Sequence, residues 1–359
     1  MNFIQISPPA PGNFVGRNWA LPAALATLVA ASALWAVEPS KEPVLIARPE
    51  AFESLLHPNC SHCFIEGKRR KDELRPDDRL VCWMQVAADG YVNDGAIPLR
   101  FFLNTHRILD DGWGLFVYDP DAGFARGFAP GGGPYRFHGW RNGIMVIKGP
   151  DGTLYSGLSG LAFEGPKKGK RLQAEPTLVT DWGFWQKRFP QAVAFTMYDK
   201  YKPVDLPTAV SDDSRRSRGP ADQRLPADAM VLGVWDGQQA RAYPLEALAK
   251  AGVIHDTASG QPRVIFWYAP TETAAAYRQP WGTSGLQGDA GWIFSVDPKQ
   301  ETAPFTDQRT GLHWDITGRP VGSGPKLIWM ECVQVKWFAW AAEYPDTSIY
   351  SQEPTTTVH

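Results

Sequence analysis

The stretch "WFAWAAEYP", residues 337–345, decides how the chain is read, because a close counterpart, "WGFWQKRFP", stands at residues 182–190. Trp182, Trp185, Phe189 and Pro190 lie under Trp337, Trp340, Tyr344 and Pro345 at one constant offset of 155 residues. Four rare residues in register point to an internal duplication, and long-period self-similarity governs every later reading of fold. The match extends outward on both sides. "LYSGLSG" (154–160) lies over "LHWDITG" (312–318), and "GKRL" ending at Leu172 lies over "GPKL" ending at Leu327. Upstream, "DGYVNDGAIPL" (89–99) matches "DGQQARAYPL" (236–245), Ile108 and Asp110 match Ile254 and Asp256, and "FVYDP" (116–120) matches "FWYAP" (266–270).

Between the copies, residues 206–229 are rich in Pro, Ser, Asp and Arg without apolar period, the composition of a linker. The chain therefore divides into an N-terminal segment (1–37), a Cys-bearing collar (38–77), repeat one (78–205), the linker (206–229) and repeat two (230–352). "RLVCWMQV" (79–86) and "MVLGVW" (230–235) are short, β-branched and aromatic, and an Asp-Gly pair follows each, so they read as strands. "RVIFWYAP", "GWIFSVD" and "KLIWMECVQV" are further strands. "PLEALAKAG" (244–252) carries helix boundary signals at both ends, and "PLRFFLNTH" (98–106) occupies the same place in repeat one. "WFAWAAEYP" reads as a short helix with Trp337, Trp340 and Tyr344 on one face. The expected fold class is α+β, β-rich, in two tandem similar repeats.

Composition narrows function by exclusion. With 43% hydrophobic and 21% charged residues among 359, the chain is globular, and 34 Gly and 31 Pro favour short strands joined by turns. A net charge of −2 gives no field to recruit nucleic acid, so none is expected as a partner. Trp19–Val37 runs nineteen residues without a charge, about the length of a membrane-crossing helix. Arg17 precedes it and Glu38, Lys41 and Glu42 follow, which leans to an inner amino terminus and an outer body. Ala31-Ser32-Ala33 offers the alternative of signal cleavage and secretion. Either route takes the body out of the cytoplasm, where a Cys-x-x-Cys can exist as a disulfide.

Repeat two, in "AYPLEALAKAGVIHD" (242–256), "RVIFWYAPTETAAAYR" (263–278), "FTDQRTGLHWDITGRPVGSGPKL" (305–327) and "VKWFAWAAEYPDT" (335–347), resembles the bacterial domain of unknown function 3179. The resemblance implies an extracytoplasmic, cell-envelope location and no assigned activity. That family typically carries a Y-C-P-L-C stretch. Here the matching positions are Phe266, Trp267, Tyr268, Ala269 and Pro270, and "FVYDP" in repeat one also lacks cysteine, so no role of those cysteines carries over.

Features found in both copies are expected to build scaffold: the four helix tryptophans as core, Asp110 and Asp256 as turn or helix-end residues. Unmatched features are where chemistry could sit. Cys60 and Cys63, with His57 and His62 beside them, can close a small disulfide, hold Zn or Cu between thiolates and imidazoles, or act as a redox pair. No His follows Cys63, so the haem-attachment pattern is absent. Cys82 and Cys332 read as buried free thiols, and His106, His138, His255 and His313 as satisfied polar residues. The Gly-rich loop "APGGGPYRFHGW" (129–140) lacks a phosphate-loop ending. "GKRRKDELRPDDR" (67–79) suits a solvated face near lipid headgroups, and "GPKKGKR" (165–171) reads as an anion contact peculiar to repeat one. No nucleophile with its base and no cofactor fingerprint emerges. The leading expectation is a membrane-anchored binding or assembly module for an unknown protein or small molecule, with its body in the periplasm or outside. The alternative is a metal-handling or thiol redox protein using Cys60 and Cys63.

Overall fold

A computed structural model describes residues 43–57, 64–66, 74–86, 92–102, 106–111, 114–195, 210–258, 260–278 and 291–351. All of them belong to one compact body, Lys41–His359. The apolar run Trp19–Val37 and three of the four collar candidates, Cys60, His62 and Cys63, lie outside the described residues. Among those described, no helix is long and apolar enough to cross a membrane.

The first half begins with three short strands, β1 (Leu45–Ala47), β2 (Glu53–His57) and β3 (Phe64–Glu66). β4 (Arg79–Val86) and β5 (Val92–Pro98) form a hairpin that runs into α1 (Leu99–Phe102). An antiparallel run follows, β6 (His106–Asp111), β7 (Gly114–Asp119) and β8 (Phe124–Phe128). A second run comprises β9 (Arg136–Arg141), β10 (Ile144–Lys148), β11 (Leu154–Ser156) and β12 (Ala162–Glu164). β9 and β10 are joined by Asn142-Gly143, both at positive φ (58° and 75°), the two-residue turn whose twist matches the flanking strands. β13 (Thr177–Asp181), α2 (Trp182–Arg188) and β14 (Val193–Phe195) end the half. Asp181 caps α2, accepting from the Phe184 amide at 2.7 Å.

The second half opens with α3 (Asp212–Ser217), β15 (Met230–Trp235), β16 (Ala240–Pro244) and α4 (Leu245–Ala251), which stops at Gly252 with φ 70°. β17 (Val253–Ala258), β18 (Gln261–Tyr268) and β19 (Thr273–Arg278) form an antiparallel meander. β20 (Phe294–Val296), β21 (Phe305–Asp307) and β22 (His313–Trp314) form a small sheet. β23 (Ile328–Trp329), β24 (Glu331–Lys336), α5 (Trp337–Glu343) and β25 (Ser348–Ile349) complete it. Both strands and both helices read from the Asp-Gly and Trp-x-x-Trp signals stand where the sequence puts them, and the molecule is β-rich.

Two sheets share one order, β13-β4-β5-β14 and β24-β15-β16-β25. Their registers agree as well: Leu80 faces Pro98 and Thr180, as Val231 faces Pro244 and Val335. β14 runs parallel to β5 with Ala194 opposite Ala96, and β25 runs parallel to β16 with Ile349 opposite Ala242. The first sheet continues by one strand, β3, antiparallel to β14. α2 and α5 also end alike, with Phe189 at φ −127°, ψ 76° and Tyr344 at φ −129°, ψ 76°.

The apolar interior crosses the middle of the chain. One cluster joins Phe128, Trp140 and Tyr155 of the first half to Val335, Trp337 and Trp340 of the second. Another joins Leu80, Trp182 and Trp185 to Phe266, Tyr277 and Trp314. Each Trp-bearing helix thus shares a cluster with strands of the other half. Smaller clusters lie within each half, one under Trp83 and Phe116, the other under Leu232 and Trp267. The segment read as a linker carries α3, which docks through hydroxyls and not through apolar residues. Ser211 caps it, buried Ser214 donates to the Gly143 carbonyl at 3.1 Å, and Ser217 accepts from the Gly143 amide at 2.9 Å. Arg218 then stacks on Phe338, 3.6 Å from its ring centre.

Candidate functional site

His57 is the last residue of β2, paired with Asp111 of β6. The rest of that collar set lies outside the described residues, and among those described no group of three or more His, Cys, Asp or Glu could hold a metal. Cys82 and Cys332 are buried in different clusters and outside any disulfide, and burial pushes the Cys332 thiol up to about 12. Neither is a ready nucleophile.

The matched residues are structural, although Asp110 and Asp256 lie within β6 and β17 and not at a turn or helix end, because each sits in a paired strand. Trp182, Trp185, Trp337 and Trp340 are all buried. Asp256 accepts from the Tyr243 hydroxyl at 2.6 Å and pairs with Arg241 at 2.7 Å, and Asp110 accepts from the Tyr135 amide at 2.7 Å. His255 accepts at Nε2 from the Phe294 amide at 3.0 Å, and burial lowers its pKa, which suits a neutral acceptor. His313 Nδ1 lies 2.8 Å from the Thr306 hydroxyl.

The densest unmatched chemistry lies where the end of α5 meets the turn after β11. Arg126 on β8, only 4% exposed, donates through Nη2 to Glu331 Oε1 at 3.1 Å. Its Nη1 donates to the Leu158 carbonyl, and its guanidinium lies 4.6 Å from the Phe128 ring centre. Arg171 Nη2 reaches the same Glu331 oxygen at 3.0 Å, the Tyr344 hydroxyl at 3.0 Å and the Ser159 carbonyl at 2.8 Å. The Ser159 hydroxyl donates to Glu343 Oε1. Trp235 stacks on Tyr344 at 5.3 Å and 25°, and Arg171 lies 5.3 Å from the Trp235 ring centre. Two cations therefore converge on one carboxylate oxygen beside an aromatic shelf.

Burial pushes the Glu343 carboxyl up, with its bonds to Ser159 and Ser156 opposing, so the proton is held more tightly than on a free glutamate. Burial likewise raises the Tyr344 phenol, which stays a neutral hydroxyl. At Glu331 itself two guanidinium groups face one carboxylate. Arg171 and Glu331, at 26% and 22% side-chain exposure, form its solvent side. Such an arrangement suits recognition of an anionic group, since guanidinium donors match carboxylate and phosphate geometry. It lacks an activated nucleophile.

The corresponding junction at α2 is built differently. Arg188, at the helix end, donates through Nε to Asp315 Oδ2 at 2.6 Å, and Asp315 is fully buried. Asp315 Oδ1 accepts from the Thr317 amide at 2.7 Å, the Thr317 hydroxyl at 2.5 Å and the Arg319 amide at 3.3 Å. That carboxylate is fully occupied within the protein. At α5 the helix end carries the acid, and the cations come from the other half.

Of the basic cluster 165–171 read as an anion contact, Arg171 belongs to this site, while Lys167 pairs with Asp151 at 3.3 Å. Arg126, Ser159, Glu331 and Glu343 gave no local signal, because Arg126 and Glu331 are 205 positions apart.

A family model described as "Protein of unknown function (DUF3179)" matches residues 141–347, which takes in most of this site along with both Trp-bearing helices. No curated protein and no solved structure matches the chain.

Proposed function

Since the chain belongs to the DUF3179 family of proteins of unknown function, we propose its role from its own residues: it is a binding module for an anionic ligand. The ligand is received at Arg171, Tyr344 and Trp235, with Glu331 beside Arg171 and Arg126 buried behind them. The observation that carries this reading is the convergence of two guanidinium groups on one partly exposed carboxylate, at a junction whose counterpart is a closed, internally satisfied ion pair. Trp235 supplies a flat shelf, so the favoured ligand joins a carboxylate or phosphate to an aromatic or apolar body. In this reading the body works outside the cytoplasm, held by the Trp19–Val37 segment, whose unbroken apolar length supports an anchor.

The test uses the full chain in detergent, titrated calorimetrically with benzoate, acetate and inorganic phosphate. Saturable one-to-one binding of benzoate, weakened at least about tenfold by Arg171→Gln, is the expected result. Absence of saturable binding by all three probes, or equal binding by the variant, rejects the site.

A second reading rests on one further observation. β2 ends at His57 and β3 starts at Phe64, and each is paired into a different sheet, so the Cys-x-x-Cys segment between them is tied at both ends. A metal or thiol redox site there, using Cys60, Cys63, His57 and His62 with Zn or Cu, predicts stoichiometric metal in the purified protein. It also predicts loss of that metal on Cys60→Ser with Cys63→Ser. An unchanged metal content and thiol reactivity in that double variant eliminates this reading.

A further inference from the structure

The two equivalent sheets differ at one edge. In the first half β14 is not the last strand: β3 pairs with it antiparallel, Phe64 opposite Phe195, Ile65 opposite Ala194 and Glu66 opposite Val193. In the second half the sheet stops at β25 among the described residues. β14 and β25 sit identically on their neighbours, because Ala194 faces Ala96 as Ile349 faces Ala242, and Ala96 and Ala242 each stand two residues before a strand-ending proline. Among the described residues, the site that β3 fills beside β14 is open beside β25.

The backbone presents the right groups. The Tyr350 amide donates inward to the Ala242 carbonyl at 2.8 Å, so by strand alternation the amide and carbonyl of Ile349 point outward. We propose that this edge is a docking strand for an extended peptide of a partner protein, with the pattern aromatic, aliphatic, acidic, added antiparallel to β25 in the register of β3.

Each position of that pattern has a complement. The acidic residue falls opposite Ser348, whose hydroxyl already receives Arg241 Nη1 at 3.2 Å. Arg241 lies on the same face; its Nε pairs with Asp256 at 2.7 Å, while its Nη1 end reaches the strand's rim, within range of a carboxylate one strand further out. Arg241 is replaced by Gly95 at the matching place in the first half, so the cation is specific to the open edge. The aromatic residue falls opposite Tyr350, itself stacked on Tyr243 at 5.5 Å. The aliphatic residue falls on the other face, beside Ile349, which packs against the mixed cluster under Trp340. A two-residue edge strand is short enough to discourage unspecific sheet growth, so affinity depends on these side chains as well as on the backbone.

The probe is a peptide of residues 62–68 carrying Cys63→Ser, titrated against the full chain in detergent by fluorescence anisotropy. One-to-one binding is expected, with loss on N-methylation of the peptide's isoleucine and a two- to fivefold weakening, roughly, on Glu66→Gln in the peptide. On the protein, Ile349→Pro should abolish binding. Ser348→Asp, at an exposed position, should weaken it about tenfold by facing the peptide's acid with a like charge. The proposal is overturned if the peptide fails to bind. It is equally overturned if binding ignores both Ile349→Pro and Ser348→Asp, since the peptide would then be replacing β3 on β14. Self-association of the chain that Ile349→Pro removes would give the edge to a second copy and likewise overturn it. This edge is separate from the Arg171 site, so either can fail alone.

Discussion

Gly233 on β15 faces the indole of Trp340, and a Cβ built there would lie 2.2–2.4 Å from its ring atoms. The indole is buried and held by its Nε1 bond to the Thr347 hydroxyl at 2.9 Å, so it has no room to yield. Gly233→Ala is expected to cost about 3 kcal/mol by urea denaturation, while Gly219→Ala, where the nearest atom is 3.5 Å away, should stay within about 0.5 kcal/mol of wild type. Asp119 offers a pH-dependent counterpart. It is 2% exposed, and burial, with Asp121 adding, lifts its pKa from 3.8 to about 6. A folded value above the unfolded one means the folded state holds the proton more tightly. Its contribution to stability is therefore complete below about pH 4 and is lost as pH rises through about 6, amounting to roughly 2–3 kcal/mol. Asp119→Asn should flatten that part of the stability profile, measured as urea midpoints between pH 4 and 7. At this scale the sequence was legible where identity repeats, as with the four tryptophans. It was silent on Arg126 and Glu343, whose partners come from distant segments through tertiary contact alone.

The helices separate what local signals specify from what packing adds. α4 runs from just after Pro244 to Gly252, as its boundary residues indicate, because proline fixes the entry and glycine takes the positive φ at the exit. α1 occupies the matching place yet extends only over Leu99–Phe102 among the described residues. "LRFF" buries Leu99, Phe101 and Phe102 and lacks the alanines that favour continued helix in "LEALAKA". α3 was hidden in a polar segment because its contacts are serine hydroxyls, which leave no apolar period to read. α2 is capped by Asp181, whereas α5 begins at Lys336 without a side-chain cap. Asp181→Ala should therefore cost about 1 kcal/mol in chemical denaturation, through the unmade bond to the Phe184 amide.

Across the molecule, the apolar faces were readable but their partners were not, since periodicity marks a face without saying what covers it. Trp182 and Trp185 share one cluster with Phe266, Tyr277 and Trp314, and Trp337 and Trp340 share another with Phe128, Trp140 and Tyr155. Expressed separately, residues 38–205 and 230–352 would each expose their share of the two mixed clusters. Each piece alone should give poorly dispersed amide spectra and bind hydrophobic dye, and mixing the two should restore a dispersed spectrum. Independent folding of either piece would count against the mixed cores as the source of stability. Interleaving also sets a timetable for biogenesis. A chain that has emerged only as far as α2 can form hairpins but cannot complete the cluster of Trp182 and Trp185, whose last aromatic member, Trp314, comes more than a hundred residues later. Until then the newborn polypeptide carries two aromatic surfaces whose shared interior is incomplete, and closure of the molecule waits on the end of synthesis.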